Sequence, residues 1–501
     1  MKAGSLPRNW AQAPLSELAT VCQGQSPPGS TYNAEGVGLP FLQGSAEFGE
    51  LSPSPTKWCS EPVRVADQGD ILISIRAPVG PTNVADQRYC IGRGLAAIRA
   101  SHCIEPAFLL HQIRHGVAAL VDRATGTTFD AIGGSVLRDH SVVVAPLPEQ
   151  RRVVEAIDSY LTRLDDAVAS LERVQAKLKA YRASVLKAAV EGRLVPTETS
   201  LARAEKRPYE PAEALLARIL KERRRRWEEA ELARLTAAGK TPKDDKWKAR
   251  YEEPVAPETS TLSNLPEGWC WATVSQVAEH RLGKMLDKDK NRGTPRPYLR
   301  NANVRWFTFD LADVSEMRVQ DTELDEVTVR AGDVVVCEGG EPGRAAVWQR
   351  VDEQFVIQKA LHRVRPAPGI SPWFFTYVLA AGAASGRLAK GFTGSTIRHF
   401  TGEALHKHCV PLPPQDEQER LTEAVEDALS LLAAAEKAVE TAQRRSSRLR
   451  QAILKWAFEG RLVDQDQTDE PAGQLLARIR DERAADAPVT KNGGRRAKGV
   501  A

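Results

Sequence analysis

The sequence predicts an α+β protein in which two globular domains are joined by two long antiparallel coiled-coil helices, with a pseudo-two-fold internal repeat. Three observations predict this fold class. Similar segments recur at a fixed offset along the chain, a heptad pattern follows each globular part, and the globular parts contain short β-type runs broken by Gly, Pro, Asn and Ser.

The internal repeat is clearest in two decapeptides. LKAAVEGRLV, which begins at Leu186, and LKWAFEGRLV, which begins at Leu454, match at eight of ten positions with an offset of 268 residues. Further matches follow in the same order: Gly126-Thr127-Thr128 with Gly394-Ser395-Thr396, Glu149-Gln150 with Glu417-Gln418, and EPAEALLARI from Glu210 with EPAGQLLARI from Glu470. Ordered matches of this kind indicate a duplication whose helical parts have stayed more alike than its globular parts.

Each long helix is predicted from apolar or small residues that recur in alternating steps of three and four. In the first copy they are Ile157, Tyr160, Leu164, Ala167, Leu171, Val174, Leu178, Tyr181, Val185 and Ala188. In the second copy they are Val425, Ala428, Leu432, Ala435, Val439, Ala442, Ser446, Leu449, Ile453 and Trp456. This spacing is typical of a coiled-coil seam, and each copy supplies the partner that the other needs. Gly192 and Gly460 suit the left-handed position that ends a helix.

These patterns divide the chain into six segments. The expected segments are a first globular domain (1–148), a central conserved coiled-coil helix (149–195), a helical extension and linker (196–260), a second globular domain (261–416), a distal conserved coiled-coil helix (417–463), and a short helix with a disordered basic tail (464–501). The second copy lacks a counterpart of the extension from Arg223 to Pro254. The repeat is therefore expected to be circular, with the N- and C-terminal segments near each other.

Composition and charge exclude several classes of protein. The chain has 501 residues, of which 42% are hydrophobic, and no apolar run is long enough for a membrane span, so a soluble cytoplasmic protein is expected. The seven cysteines are odd in number and widely spaced, which argues against a zinc site or a disulfide framework. The formal net charge is +4, but residues 1–148 carry 11 basic against 12 acidic side chains. Charge alone therefore does not indicate nucleic-acid binding.

Catalytic motifs are not found. Gly239-Lys240-Thr241 ends like a phosphate-binding loop, but Arg234 stands where the first glycine is required. There is no glycine-rich dinucleotide fingerprint, no Asp-Pro-Pro-Tyr or Asn-Pro-Pro-Phe/Tyr tetrapeptide of adenine methyltransferases, and no His-Glu-x-x-His. The acidic residues from Asp321 to Glu326 fit a solvated loop better than a metal site. Neither a catalytic residue nor a metal ligand is predicted.

Taken in order, the motifs resemble those of one protein family. LPRNW and LPEGW open the two copies, and GQSPPGSTYN and GLPFLQG follow in the first. A Pro-Leu-Pro turn precedes each long helix, EGRLV ends it, and the middle contains ERRRRWEEAELA and GKTPKDDKWKARYEEP. Together these resemble the DNA specificity subunit of type I restriction–modification systems over nearly the whole chain.

The resemblance implies a function without catalysis. Each globular domain would read one half of a bipartite, asymmetric site in double-stranded DNA, while the helices would set the gap between the halves. The helices would also dock two adenine methyltransferase subunits, through which ATP-driven restriction subunits would join. No cofactor is expected on this chain; S-adenosylmethionine, ATP and Mg²⁺ are expected on the partner subunits.

Candidate DNA contacts are chosen for side chains that can bind base edges or phosphates. In the first domain they are Gln23, Gln25, Ser26, Tyr32, Asn33, Arg76, Arg93, Thr127 and Thr128. In the second they are Lys284, Lys288, Lys290, Arg292, Arg296, Tyr298, Arg300, Asn301, Asn303, Ser395, Thr396 and Arg398. Two other functions stay open on sequence grounds: a scaffold whose two heads bind proteins, and a self-contained nuclease or methyltransferase, which the missing motifs disfavour.

Overall fold

The chain forms two compact units in a computed structural model. The structure describes residues 6–50, 52–123, 131–240, 242, 244–287, 289–351, 354–394 and 398–485, with side chains as far as residue 481. Unit 1 comprises residues 1–172 and 440–501, and unit 2 comprises residues 173–439. Both terminal segments of the chain belong to unit 1, as the circular repeat predicts.

Eleven described strands and four α-helices lie between Leu6 and Val190. The strands are β1 (Ala11–Pro14), β2 (Ala19–Gln23), β3 (Tyr32–Asn33), β4 (Leu39–Leu42), β5 (Lys57–Cys59), β6 (Val65–Ala66), β7 (Ile71–Ser74), β8 (Thr82–Val84), β9 (Tyr89–Ile91), β10 (Leu95–Ala100) and β11 (Ser141–Val144). The helices are α1 (Leu15–Leu18), α2 (Pro106–Val121), α3 (Gly134–Arg138) and α4 (Leu147–Val190).

The remaining described strands and α-helices begin with two helices. They are α5 (Glu198–Glu205), α6 (Ala212–Ala237), β12 (Cys270–Thr273), α7 (Val274–Val277), β13 (Ala278–Leu282), β14 (Thr294–Leu299), β15 (Val304–Arg305), β16 (Thr308–Phe309), β17 (Ser315–Val319), α8 (Leu324–Val327), β18 (Val334–Cys337), β19 (Ala345–Val347), β20 (Val356–Ile357), β21 (Leu361–Pro366), α9 (Pro372–Ala384), α10 (Gly402–Lys407), β22 (Cys409–Leu412), α11 (Gln415–Phe458) and α12 (Ala472–Ala485).

The sheets show the same strand order in both units. A four-stranded antiparallel sheet has the order β2-β10-β7-β8 in unit 1 and β13-β21-β18-β19 in unit 2. Both central strands, β7 and β18, are short apolar runs buried at every position, which is the pattern of a strand covered on both faces. The first and last strands of each globular domain pair with each other, β1 with β11 and β12 with β22.

A second sheet in each unit contains a parallel strand pair. In unit 1 it has the order β3-β5-β4-β9-β6, with β4 parallel to β9. In unit 2 it has the order β17-β14-β20, with β14 parallel to β20. The predicted mixture of helix with short strands is thus confirmed.

Helices α4 and α11 contain 44 residues each, and a rise of about 1.5 Å per residue makes each about 66 Å long. Gly192 and Gly460, which follow them, have φ angles of 66° and 68°. An ion pair joins the two helices in each unit, Arg450 with Asp165 in unit 1 and Arg182 with Glu436 in unit 2.

The predicted heptad seam is buried only in part. Ile157 and Val425 are fully buried, whereas Tyr160 is 46% exposed and Tyr181 is 58% exposed. A continuous two-stranded seam would bury all of these positions. The coiled-coil pairing of the two helices over their full length therefore stays a prediction.

A group of three histidines, one buried and two half-buried, should make the stability of unit 2 depend on pH. The fully buried His362 lies 2.9 Å from the carbonyl oxygen of Phe400 through Nε2, so it donates there. The ring of His280 lies 6.0 Å from that of His362 and 5.5 Å from that of His406. Burial lowers the pKa of His362, and burial together with the neighbouring histidines lowers the pKa of His280 to about 4.

We expect unit 2 to lose stability as the pH falls from 7.5 to 5.5. An unfolded histidine titrates near pH 6.5, so over this range the unfolded chain binds more protons than the folded chain, and the free energy of unfolding decreases. Urea unfolding followed by tryptophan fluorescence measures this change, because seven of the ten tryptophans lie in unit 2. The His280→Gln variant removes one titrating group and should show a smaller decrease; an equal decrease in both proteins would contradict the assignment.

Candidate nucleic-acid interface

The first candidate residues lie at one end of the unit 1 sheet, where two strands end and the strand between them begins. Strand β2 ends at Gln23 and β7 ends at Ser74, while their shared neighbour β10 begins at Leu95. Backbone bonds continue this edge beyond the strands, from Gly24 N to the Leu95 oxygen at 2.9 Å and from Ile75 N to the Gly94 oxygen at 2.9 Å. Antiparallel pairing therefore brings three separate loops together.

Five predicted residues share this edge, which we call the polar edge of unit 1: Gln23, Gln25, Ser26, Arg76 and Arg93. All are exposed except Ser26, which is half-buried. Gln25 N donates to the Ile91 oxygen at 3.0 Å, and Arg93 N lies 3.4 Å from Ser26 Oγ. Within the described part of the chain, neither arginine forms an ion pair. Two unpaired guanidinium groups and two exposed amides suit contacts to base edges and phosphates.

Tyr32 and Asn33 belong to a neighbouring turn. Tyr32 donates through its hydroxyl to the Pro27 oxygen at 2.8 Å, and its ring stacks on Phe41 with centroids 4.7 Å apart. Asn33 accepts from Val37 N at 3.0 Å and donates to the Val37 oxygen at 2.8 Å. Local contacts thus engage both side chains.

Unit 2 repeats the backbone hydrogen bonds that hold this edge together. We call this set of bonds the backbone frame. Gly283 N donates to the Leu361 oxygen and Lys284 N to the Ile357 oxygen, each at 2.9 Å, as Gly24 and Gln25 do in unit 1. Glu338 N donates to the Ala360 oxygen at 2.9 Å, as Ile75 N does to Gly94. The side chains on the two frames differ, since Lys284 stands where unit 1 has Gln25.

Lys284 is already neutralised within unit 2. Its ammonium group pairs with Glu323, and its side chain is only 15% exposed. The same contact lowers the pKa of the Glu323 carboxyl. Because its charge is already paired with Glu323, Lys284 is better suited to holding the loop in place than to binding a phosphate.

The basic segment after Lys284 splits between the two ends of β14. Lys290, 3.6 Å from Asp287, and the exposed Arg292 precede the strand. Arg300, paired with Asp313, and Asn301, which donates to the Gly339 oxygen at 2.8 Å, follow it. Among these four, Asn301 thus contacts the frame directly. Arg296, within the strand, binds Gln354 at 2.8 Å.

Two predicted contacts in this segment are buried. Tyr298 is 7% exposed and packs among Met317, Val319 and Val356. Asn303 is 2% exposed; its Oδ1 accepts from Arg300 N at 3.0 Å and its Nδ2 donates to the Asp310 oxygen at 2.9 Å. Their surroundings give these two side chains a structural role.

Five predicted contacts lie outside the described residues. Four of them belong to the paired Gly-Thr-Thr and Gly-Ser-Thr segments, and the fifth is Lys288; the four are Thr127, Thr128, Ser395 and Thr396. The residues that follow these segments return to the same edges. Ile132 N donates to the Ile75 oxygen at 2.9 Å, and Phe400 N donates to the Glu338 oxygen at 2.7 Å. Arg398, two residues before Phe400, is exposed.

Sequence reasoning missed Lys359. It is exposed, and its N–H donates to the Lys284 oxygen at 2.9 Å, so it lies on the unit 2 frame at the position of Arg93. The signal was present in the sequence, because Ile91 to Leu95 (IGRGL) corresponds to Ile357 to Leu361 (IQKAL). We call Lys284, Gly339 and Lys359 the polar edge of unit 2. Gln43, exposed beside Gly94, is a further missed neighbour of the unit 1 edge.

Three of the four arginines in the α6 run are neutralised by carboxylates. Arg224 pairs with Glu228 and Glu253, while Arg225 and Arg226 pair with Glu222. The Trp227 and Trp247 rings stack with centroids 6.2 Å apart. A charged, solvated helix explains this run better than a phosphate-binding surface does.

Two kinds of site are not found in the part of the chain that the structure describes. No three His, Cys, Asp or Glu side chains come together in a way that would hold a metal ion. None of the described helices combines the length and apolar character needed to cross a bilayer.

Comparison with known proteins agrees with the geometry. Residues 7–179 match the family model of the type I restriction modification DNA specificity domain. The specificity subunit of the EcoKI type I restriction enzyme of Escherichia coli K12 is 22% identical over 97% of this chain and 98% of its own. The MjaX specificity subunit of Methanocaldococcus jannaschii is 34% identical over 38% of this chain and 45% of its own.

Two solved structures share the fold. A chain from a study of assembly and conformational transition in the type I R-M system superposes with a TM-score of 0.63 at 18% identity, over 92% of this chain and 100% of that one. The HsdS subunit of Thermoanaerobacter tengcongensis gives 0.52 at 17% identity, over 92% and 99%. The family model and the full-length relatives agree: residues 7–179 match the type I restriction modification DNA specificity domain, and the chain as a whole is similar to type I specificity subunits, which supports the prediction of a non-catalytic chain.

Proposed function

We propose that each unit reads one half of a bipartite, asymmetric site in double-stranded DNA through its polar edge. One observation carries this proposal. The same backbone frame recurs in both units, but its side chains differ: Gln25, Arg76 and Arg93 in unit 1 correspond to Lys284, Gly339 and Lys359 in unit 2. A shared frame whose side chains differ between the two units is what reading two different half-sites requires.

The chemistry of unit 1 favours direct reading of bases. An arginine can bind guanine O6 and N7 with two hydrogen bonds, and a glutamine can bind adenine N6 and N7 in the same way. Unit 2 offers the ammonium group of Lys359, with Arg398 on the segment that returns to the same edge. Because the globular domains are almost neutral overall, phosphate contacts from partner subunits would supply much of the affinity.

The long helices would set the gap between the half-sites. At about 66 Å each, an antiparallel coiled-coil pair of α4 and α11 would hold the two polar edges a fixed distance apart. The ion pairs between these helices in each unit support such pairing. The duplicated EGRLV ends suggest that the same partner binds twice.

Two adenine methyltransferase subunits would dock on the helices, and ATP-driven restriction subunits would join through them, in the cytoplasm. A cleft of about 720 Å³ in unit 2 supports docking there. It lies beside α4, α9 and α11 and is lined by Leu186, Trp306, Trp373, Tyr377 and Leu429. S-adenosylmethionine, ATP and Mg²⁺ would be bound by those partners. A scaffold whose heads bind proteins would need no such duplicated polar frame.

Alanine substitution at the two matched basic residues tests the assignment of the edges. We expect Arg93→Ala and Lys359→Ala each to cost about 1–3 kcal/mol of discrimination and to relax one position of one half-site, a different half for each variant. Co-expression with the methyltransferase subunit, followed by sequencing of methylated genomic DNA, reads out the site.

The matched controls are Arg88→Ala and Lys407→Ala. Both are exposed basic residues paired with a neighbouring carboxylate, Asp67 and Glu403 respectively, so both variants should keep the parental site. Unchanged sites and affinities in the two edge variants would refute their assignment. A wild-type site without two separate halves would refute the proposed function itself.

A further inference from the structure

Each long helix begins with a buried Glu-Gln pair that the proposed function leaves unexplained. Glu149 and Gln150 stand in the first turn of α4, and Glu417 and Gln418 stand in the first turn of α11. All four side chains are at most 1% exposed. Glutamate is almost never fully buried unless it is paired, so the partners of these groups define what they do.

In unit 2 the Glu417 carboxylate joins three segments. Oε1 accepts from the indole Nε1 of Trp269 at 3.0 Å, and Oε2 accepts from Glu198 N at 2.8 Å. Trp269 belongs to the start of the globular domain, and Glu198 opens the helix α5 that follows the EGRLV end of α4. One carboxylate therefore ties the start of α11 to its globular domain and to the end of the other long helix.

The neighbouring amide fixes a second point of the globular domain. Gln418 Oε1 accepts from Ser371 N at 2.8 Å, and Nε2 donates to the oxygens of Pro413 and Gly369 at 3.1 and 3.2 Å. Ser371 caps the N-terminus of α9. The amide thus holds α9 at a fixed angle to α11.

A charged pair and a close backbone contact complete this junction. Arg420 Nη2 lies 2.7 Å from Oε2 of Glu198, which is 1% exposed. A Cβ added to Gly192 would lie 2.5 Å from Pro266 and 3.1 Å from the Trp269 ring. The end of α4 therefore seats directly on the start of the globular domain.

Unit 1 repeats the junction with other residues. Buried Glu149 accepts from Gln465 Nε2 and lies beside Trp10. Gln150 Oε1 accepts from Glu105 N, at the cap of α2, at 2.8 Å, and Arg152 Nη2 binds Asp469 at 2.8 Å. The same three segments meet in both units, so the network is a property of the repeated unit.

We propose that Glu149-Gln150 and Glu417-Gln418 are positioning residues that fix the angle of each globular domain on the long helices and thereby set which spacing between half-sites the protein accepts. These side chains are buried at the junction and so are not offered to DNA. Their role rests on the proposed reading of a bipartite site. The proposal predicts that changing these residues alters the accepted spacing between the half-sites and leaves the bases within each half-site unchanged.

The variants Glu417→Gln and Trp269→Phe probe the carboxylate. An amide has one accepting oxygen, whereas Glu417 accepts from two N–H groups, so in Glu417→Gln an NH₂ group must face one of those donors. Trp269→Phe keeps an aromatic ring and removes one of the two donors. In the double variant the NH₂ group can face the phenyl ring, so the double variant should be less impaired than the sum of the single changes.

The measurement uses the full chain with its methyltransferase partner on duplexes that carry the wild-type half-sites, with the gap native, one base pair shorter or one longer. Wild type should strongly prefer the native gap. Glu417→Gln and Trp269→Phe should lower that preference by about ten-fold, the scale of one lost buried hydrogen bond, while both half-site sequences stay the same. Glu419→Gln, an exposed change two residues away, should match wild type.

The outcomes separate the explanations. If both variants keep the wild-type preference for the native gap, the proposal is overturned. The network would then have a purely structural role, even if the melting temperature were lowered. Altered bases within a half-site would also overturn it. If wild type recognises no bipartite site, the proposed function fails first. Should Glu417→Gln not fold, Trp269→Phe alone gives the same test.

Discussion

A chain in which the second globular domain is replaced by a copy of the first should recognise a symmetric DNA site. The replacement substitutes residues 11–144 for residues 270–412. We expect the methylated motif to lose its second half and to acquire an inverted copy of the first half, because the proposed antiparallel pairing of the long helices would relate the two copies by an approximate two-fold axis. The change in specificity at the second half is complete, which makes it the largest functional effect expected.

The structure offers matched points of attachment for this exchange. The first domain enters and leaves through the paired strands β1 and β11, with Ala11 opposite Val144. The second does so through β12 and β22, with Cys270 opposite Leu412. Both ends of each domain lie side by side in a short antiparallel strand pair. The exchanged segment therefore joins the rest of the chain through two adjacent ends, as the original domain does.

Sequencing of methylated DNA from cells that co-express the methyltransferase subunit measures the outcome. The reciprocal chain, with two copies of the second domain, should yield a symmetric site built from the second half alone. A chain in which the first domain is replaced by its own sequence with silent codon changes controls for the construction. An asymmetric parental motif from either exchanged chain would contradict the assignment of one half-site to each unit.

The large-scale plan of this protein is visible in its sequence because duplication and periodicity are long-range patterns. The 268-residue offset and the alternating steps of three and four locate α4 and α11 to within a few residues, and the glycines after them have the expected positive φ. The parallel pairing of β4 with β9 and of β14 with β20 was not predictable in this way. Short strands of two to six residues carry too little periodicity to reveal their partners.

The candidate contacts were less predictable, for a related reason. A density of polar residues shows that a segment is solvated, but not which side chains the backbone already uses. Asn303 caps a turn and Tyr298 fills a core, although both lie among exposed basic residues. Lys359 shows the opposite case: the sequence contains the correspondence of IQKAL with IGRGL, but the hydrogen-bonded frame is what places Lys359 at the position of Arg93.

The buried pair of Asp333 with Arg365 should dominate the stability of unit 2. Asp333 is 1% exposed and accepts from Arg365 Nε and Nη2, both at 2.7 Å, and from Arg330 N at 2.7 Å. The hydrogen bonds to Asp333 raise the pKa of the Arg365 guanidinium. Unit 1 has the same arrangement, in which Arg99 binds Asp70 at 2.9 and 2.8 Å.

We expect Arg365→Ala to lower the free energy of unfolding by about 3–5 kcal/mol at neutral pH, because it leaves a buried carboxylate without its counter-charge. Adding Asp333→Asn should restore a large part of that loss. The asparagine removes the unpaired charge, yet its Oδ1 can still accept from Arg330 N. Urea unfolding followed by tryptophan fluorescence reports chiefly on unit 2, which contains seven of the ten tryptophans.

Asp325→Ala is the matched control, since Asp325 pairs with Arg330 at 2.7 Å while its side chain is 92% exposed. A surface pair of this kind contributes about 0–1 kcal/mol, so this variant should unfold close to wild type. If Arg365→Ala were equally mild, or if Asp333→Asn deepened the loss, desolvation of Asp333 would not be the cause. A Gly-Asp dipeptide precedes both β7 and β18, and in each sheet its buried aspartate pairs with an arginine from the neighbouring strand. In that case this pairing would not explain why the dipeptide occurs in both units.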